Sequence, residues 1–234
     1  MIEPGRIPVV RCTWHPSFRL IPSRYPTVAL YDAIADPADL EVVFAIEALT
    51  NARIRDELGD LQLVAPEERV SGAGSTPVMA AFTHLNPDGS RFSDGSYGVY
   101  YAAQALDTAI AEVSHHRAVF LARTAEPAID VDLRLVAANV QADLHDLRAL
   151  APPSAANILH PEHYAASQAL GRRLRAAGSW GVQFPSVRHA GGFCIGVFRP
   201  RALGKARVGA HIALHWDGRR ITHWYEKRQP QALQ

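Results

Sequence analysis

Apolar residues recur at two different periods along this chain, and that mixture limits the folds open to it. Val43, Ile46, Leu49 and Ile54 follow one another at helical spacing. Ahead of them, Asp36-Pro37-Ala38-Asp39-Leu40-Glu41 sets acids and a proline where a helix N-terminus favours both, and Gly59 stands where such a helix would stop. The pattern predicts a helix over roughly 37–58. A second is predicted over 106–117, with Leu106, Ile110 and Val113 as its stripe. A third opens at His160-Pro161-Glu162, runs through Leu170 and Leu174, and closes at Gly178. Period-two alternation appears instead over 129–135, a half-buried strand. Shorter strands are predicted over 78–82 and 98–102, and a pair around a loop over 180–184 and 193–198. Residues 211–216, the turn Asp217-Gly218 and residues 219–225 read as a hairpin. Helices separated by short strands, some in hairpins, indicate a single mixed α+β domain rather than a regular βαβ array.

Composition narrows the function. In 234 residues, 48% are apolar, with 4 Trp, 7 Tyr and 8 Phe, which excludes a mainly disordered chain. Lys and Arg total 24 against 23 Asp and Glu, for a formal charge of +1. A protein that coats nucleic acid carries a larger basic excess, so no direct nucleic-acid contact is expected. So small a charge also leaves association with a protein partner unopposed. The two cysteines, Cys12 and Cys194, are far apart and in no CxxC pattern, which suits a reducing cytoplasm. The start shows no secretory signal, and every apolar run is broken well before the ~18 residues a membrane span needs.

The familiar nucleotide and hydrolase signatures, GxxxxGK[ST], GxGxxG and GxSxG, are absent. His160 and His163 stand three apart across a proline with no third ligand near, so no metal site is expected. Three segments nevertheless do not read as scaffold. In 18–26, Arg19 and Arg24 are embedded among apolar residues and prolines, where a planar guanidinium suits phosphate or carboxylate. In 90–113, the loop Ser90-Arg91-Phe92 precedes a strand ending in Tyr100-Tyr101, and the following helix carries Glu112 beside its apolar stripe. Ala105, Thr108 and Ala109 on that face are small, which leaves room for a ligand beside the carboxylate. In 184–192, Ser186 follows Pro185 at the end of an apolar strand.

Taken in order, these segments resemble the RES domain family. Its pattern is an early Arg, a Gly-Arg-Trp-like loop, Tyr-x-Ala, an Ala-x-x-Glu helix and a late Pro-Ser. The matching positions are Arg19, Arg91-Phe92, Tyr101-Ala102-Ala103, Ala109-Ile110-Ala111-Glu112 and Pro185-Ser186. Arg24 competes with Arg19 for the first position, and Tyr100 shadows Tyr101. The resemblance covers about 19–198. It implies one RES domain over 1–234, with a core of about 18–200 and a C-terminal hairpin extension over 201–234.

RES proteins are toxins of bacterial toxin–antitoxin pairs. The resemblance therefore implies a core like that of ADP-ribosyltransferases, with short, mostly antiparallel strands and flanking helices. It implies NAD as substrate, cleaved at the nicotinamide–ribose bond, with phosphate, water or a protein as acceptor. It implies growth arrest as the outcome, an Xre-type helix-turn-helix antitoxin as partner, and a homodimer within that complex as one arrangement. On this reading Glu112 steadies the developing oxocarbenium ion or holds the ribose hydroxyls. Arg19 and Arg91, with Arg24 as the competing position, bind the diphosphate. Tyr101 and Phe92 bind the substrate, and Ser186 bonds the ribose or carboxamide without acting as nucleophile. The alternative is a non-catalytic module that holds a nucleotide or a partner segment in the same pocket.

Overall fold

The computed structural model describes residues 2–23, 32 and 59–227. The helix expected over 37–58 and the competing Arg24 lie outside the described residues. Seven strands are described: β1 (Val9–Pro22), β2 (Tyr100–Ala103), β3 (Ile129–Asp146), β4 (Gly181–Pro185), β5 (Phe193–Val197), β6 (Arg207–Trp216) and β7 (Ile221–Lys227). Four α-helices accompany them: α1 (Thr76–Thr83), α2 (Leu106–Arg123), α3 (Pro152–Ile158) and α4 (Ala165–Ala176).

The strands form one sheet in the order β1-β2-β5-β4-β3-β6-β7, and β1 also pairs with β3. The first five therefore close on themselves, and the β6–β7 hairpin extends outward from β3. The β3–β4 pairing is parallel and the others are antiparallel, so the sheet is mixed and the α+β reading holds. The long seam is β1 against β3, from Val9↔His145 to Pro22↔Leu133. Its register shifts between Trp14 and Ser17, around Pro16, which has no N–H to give the ladder. Ser17 Oγ donates to the Ala138 carbonyl at 2.8 Å and steadies the ladder where it resumes.

Side chains alternate across this sheet into separate cores. Val136, Val140 and Leu144 of β3 pack with Val78, Met79 and Phe82 of α1. On the opposite face, Phe184 of β4 joins Leu170 and Leu174 of α4 and the ring of Phe92. Ile110 of α2 covers Leu133, Ile212 and Leu214, which ties the hairpin to the body of the protein.

The structure corrects several expectations. Residues 78–82 are helical, not a strand: they sit inside α1, whose first turn holds Pro77. The carboxylate of Asp32 caps this helix from far away in sequence, accepting from the backbone N–H groups of Gly74 at 2.7 Å and Thr76 at 2.9 Å. The helix placed at His160 begins five residues later, at Ala165. His160 instead closes a turn, its Nδ1 accepting from the N–H groups of Glu162 at 3.1 Å and His163 at 3.0 Å. Helix α2 continues to Arg123, beyond the expected 117. Strand β3 runs on to Asp146, far past the expected 135.

Helix α4 meets the Arg91-Phe92 loop through Gly171. A Cβ there would stand 2.1 Å from the Phe92 carbonyl oxygen and 3.0 Å from the Tyr97 hydroxyl. In an exposed helix, replacing Gly by Ala stabilises by about 1 kcal/mol. Here Gly171→Ala is expected to destabilise instead, by about 1–3 kcal/mol through overpacking. A urea unfolding midpoint lower than that of the wild type checks this.

Candidate functional site

Strand β2 runs almost directly into helix α2, and this joint forms one wall of a cleft of about 480 Å³. Glu112 lies two turns into α2 and lines the cleft together with the small side chain of Ala109. Its Oε1 accepts a hydrogen bond of 2.6 Å from Ser186 Oγ. Ser186 follows β4 and opens the turn that leads to β5. Its oxygen accepts in return from the N–H groups of Arg188 at 3.1 Å and His189 at 3.0 Å. A serine hydroxyl has one hydrogen to give and two lone pairs. All three are used within the protein, where the hydroxyl bridges this turn to the Glu112 carboxylate.

A second clasp holds the same turn on the same helix. Thr108, fully buried one turn before Glu112, bonds His189 Nδ1 at 2.8 Å. Gly192 makes this approach possible, since a Cβ there would come within 2.5 Å of Thr108 Oγ1. Strand-end turn and helix are thus fixed to each other at Glu112 and one turn before it.

The cations come from the other two segments. Arg19 lines the cleft and donates from Nη1 to the Tyr101 carbonyl at 3.0 Å, with its guanidinium 4.9 Å from the centroid of the Tyr100 ring. Its Nε is buried with no hydrogen-bond partner. Arg91 donates from Nη1 to the His160 carbonyl at 2.8 Å and stacks on Tyr164 at 4.6 Å. Neither arginine pairs with a carboxylate among the described residues. Burial lowers the pKa of both, and at Arg91 the charges of Tyr164 and Glu112 act the other way. Guanidinium nonetheless stays charged at neutral pH, so two cations are held partly out of water with no ion-paired carboxylate among the described residues, an arrangement that costs stability.

The structure distinguishes the two tyrosines by position. Tyr101 lines the cleft, while Tyr100 is fully buried beneath Arg19. The Tyr101 hydroxyl meets Ser90 Oγ at 2.9 Å and accepts from the Phe92 N–H at 2.8 Å, so it pins the Arg91 loop. Burial pushes its pKa up to about 12. Phe92 is not brought to the cleft. Its ring is fully buried, edge-to-face on Phe184 with centroids 5.1 Å apart, and it supports the site from beneath.

Residues without an assigned part in the sequence reading also stand at or beside the site. Cys194, His116 and Tyr164 line the cleft, and Thr108 holds the turn. Thr108, one of the small residues on the Glu112 face, and His116, which shares that face, carried a signal. Cys194 and His116 reach the cleft through strand and helix register, and Tyr164 through the turn ahead of α4. Among the described residues no group of three or more His, Cys, Asp or Glu side chains is gathered to hold a metal ion. Nor is any described helix long and apolar enough to cross a membrane.

Comparison with known proteins gives three findings. The family model described as the RES domain matches residues 66–217. "Uncharacterized protein y4oC" of Sinorhizobium fredii (strain NBRC 101917 / NGR234) is 32% identical over 213 residues, covering 89% of this chain and 86% of that protein. A solved chain from the M. tuberculosis MbcT–MbcA toxin–antitoxin complex aligns with 88% of this chain and 86% of its own, at 14% identity and a TM-score of 0.47.

Two outcomes follow from the site's hydrogen bonds and burial. Ser186→Ala strands two backbone N–H groups and removes the donor to Glu112, and a loss of about 1–3 kcal/mol in chemical denaturation is expected. A change within the ±0.5 kcal/mol of an ordinary surface substitution contradicts the clasp. The second concerns the thiols. Burial raises Cys12 to about 11 and, with Glu112 adding to it, Cys194 to about 12. A raised thiol pKa keeps both protonated at pH 8, and the thiolate is the reactive form. A disulfide dye should therefore label neither cysteine in the folded protein at pH 8 and both after unfolding.

Proposed function

The chain belongs to the RES domain family, whose model spans residues 66–217, and from that premise we propose that it is an NAD-consuming toxin of a bacterial toxin–antitoxin pair. The observation that carries this reading is the pairing of opposites in one cleft. A carboxylate, Glu112, is held by Ser186, and two guanidiniums, Arg19 and Arg91, pair with no carboxylate among the described residues. NAD presents the complementary chemistry: a diphosphate for the arginines and, at the reacting ribose, a carbon that becomes cationic.

The step is displacement at C1′ of the nicotinamide ribose. The bond from C1′ to the ring nitrogen breaks, its electron pair stays on the nitrogen, and neutral nicotinamide leaves. An acceptor oxygen or nitrogen then bonds C1′ and gives up its proton. Phosphate, water and a protein side chain each satisfy this balance. Because the leaving group is already cationic in the substrate, the protein's task is electrostatic. Glu112 stabilises the oxocarbenium character or holds the ribose hydroxyls. Arg19 and Arg91 fix the diphosphate so that C1′ stays beside that carboxylate. The Tyr101 ring stands beside these groups as a surface for the nicotinamide.

The same reading places the protein in the cytoplasm, where its substrate is, and makes growth arrest the consequence of NAD loss. Its partner is an Xre-type antitoxin with a helix-turn-helix, which takes over any DNA contact. A homodimer within that complex and the extension of the domain over 1–234 belong to the same proposal.

The test is NMR of NAD incubated with antitoxin-free protein, with and without phosphate, following released nicotinamide. The wild type is expected to release it. Glu112→Gln should slow release by about 10²–10³, the usual loss for an electrostatic catalytic group, and Arg91→Ala should slow it comparably, with thermal unfolding unchanged. NAD bound but intact over hours, with every acceptor supplied, sinks the enzymatic reading and leaves the non-catalytic binding module.

A further inference from the structure

Another guanidinium stands on the turn beside this site, although neither the sequence pattern nor the reading above gives it a part. Arg188 stands two residues after Ser186, on the turn clasped to α2. Its backbone N–H is one of the two that Ser186 Oγ accepts. Its side chain crosses to the segment before α4 and donates from Nη2 to the Pro161 carbonyl. Arg91 donates to the carbonyl of the preceding residue, His160. Two arginines from distant parts of the chain therefore grip consecutive carbonyls of one short segment, which gathers their positive charges side by side.

Among the described residues no ion pair balances that gathering. Like Arg91, Arg188 makes no ion pair with a carboxylate among the described residues. Glu112 and Glu162 contribute negative charge nearby, felt at His115 together with the two arginines, without pairing with either. A guanidinium offers five N–H groups in a planar fork. At Arg188 one is engaged by Pro161, and Nε is buried with no partner. The Nε of Arg19 is left in the same condition. Like charges brought together with unspent buried donors describe a site built for an anion with several oxygens.

We propose that Arg188 and Arg91 together form a phosphoryl-anion site beside Glu112, with Arg188 in direct contact with the anion. The inference rests on the proposed function in taking the cleft to receive a phosphorylated ligand. The anion has two possible sources with the same chemistry: a phosphoryl group of the dinucleotide, or free inorganic phosphate entering as acceptor.

Calorimetry on the full chain tests this with two probes, inorganic phosphate and ADP-ribose, in the wild type, Arg188→Gln and Arg188→Lys. No turnover enters the readout, so failure of NAD cleavage and failure of this site are separate results. Gln keeps a donor for the Pro161 carbonyl and removes the charge. Lys keeps the charge and loses the fork, and it serves where the Gln variant does not fold. Affinity for at least one probe is expected to fall tenfold or more in Arg188→Gln and by a smaller factor in Arg188→Lys. Loss for phosphate with ADP-ribose binding unchanged assigns the site to the free anion. Loss for ADP-ribose assigns it to the dinucleotide. Affinities for both probes within twofold of the wild type in every folded variant overturn the proposal, as does a wild type that binds neither.

Discussion

Strand β3 has more partners than a strand has edges, and the fold depends on how it meets them. Along one edge it carries β1 from Leu133 to His145. Along the other it is shared: β6 takes the N-terminal half, up to Ala137, and β4 takes His145 and Asp146 at the far end. A strand divided in this way must be long, and it must alternate cleanly, because a slip of one residue would exchange its two faces. Val136, Ala138, Val140, Ala142 and Leu144 meet that demand, all buried on one side. The division also sends the sheet two ways, outward through the β6–β7 hairpin and around through β4, β5 and β2 back to β1.

That closure makes the site. The ring is narrowest where β1 touches β2, through the single pair Phe18↔Ala103. The residue after Phe18 is Arg19, which donates to the carbonyl of Tyr101 on the adjoining strand. On the far side of β2, strand β5 pairs Ala103 with Cys194, and β4 pairs Cys194 with Phe184. Ser186 is therefore carried to the second turn of α2, where Glu112 stands. Arg19, Glu112 and Ser186 are distant in sequence, and three successive strand pairings bring them to one place.

Much of this was legible in the sequence, and the failures have physical causes. The hairpin around Asp217-Gly218 was readable from its turn residues, although four residues, 217–220, separate its strands where two were expected. Helix α2 was readable from the spacing of Leu106, Ile110 and Val113. Residues 78–82 were misread because a short apolar run has no period of its own, and the cap that commits it to a helix comes from Asp32, outside any local window. The second half of β3 did alternate, but with alanine and asparagine in place of the β-branched residues that mark strands. In β1, Cys12 and Trp14 alternate with Arg11, Thr13 and His15, a pattern too short to outweigh the proline that follows. At the site, Arg19, Arg91, Tyr101, Glu112 and Ser186 come together, whereas Phe92 turns away into the core. An aromatic beside a charged loop residue looks the same in sequence whether it faces a ligand or a core, and only packing against Phe184 separates the two.

The site's polar groups divide into those already satisfied and those still unspent. The hydroxyls of Ser186 and Tyr101 have their hydrogen bonds within the protein, so their contribution is to hold Glu112 and the Arg91 loop still. The guanidiniums are the reverse: each gives one N–H to a backbone carbonyl and keeps the rest of its fork, with no carboxylate among the described residues to meet it. Fixing cations near one another in a half-buried cleft raises the free energy of the empty protein, and the hydrogen bonds to carbonyls only orient them. Their charge is cancelled by whatever anion enters, so stability and binding are linked in the same residues. A carboxylate partner on the protein would have made the fold more stable and the cleft indifferent to anions.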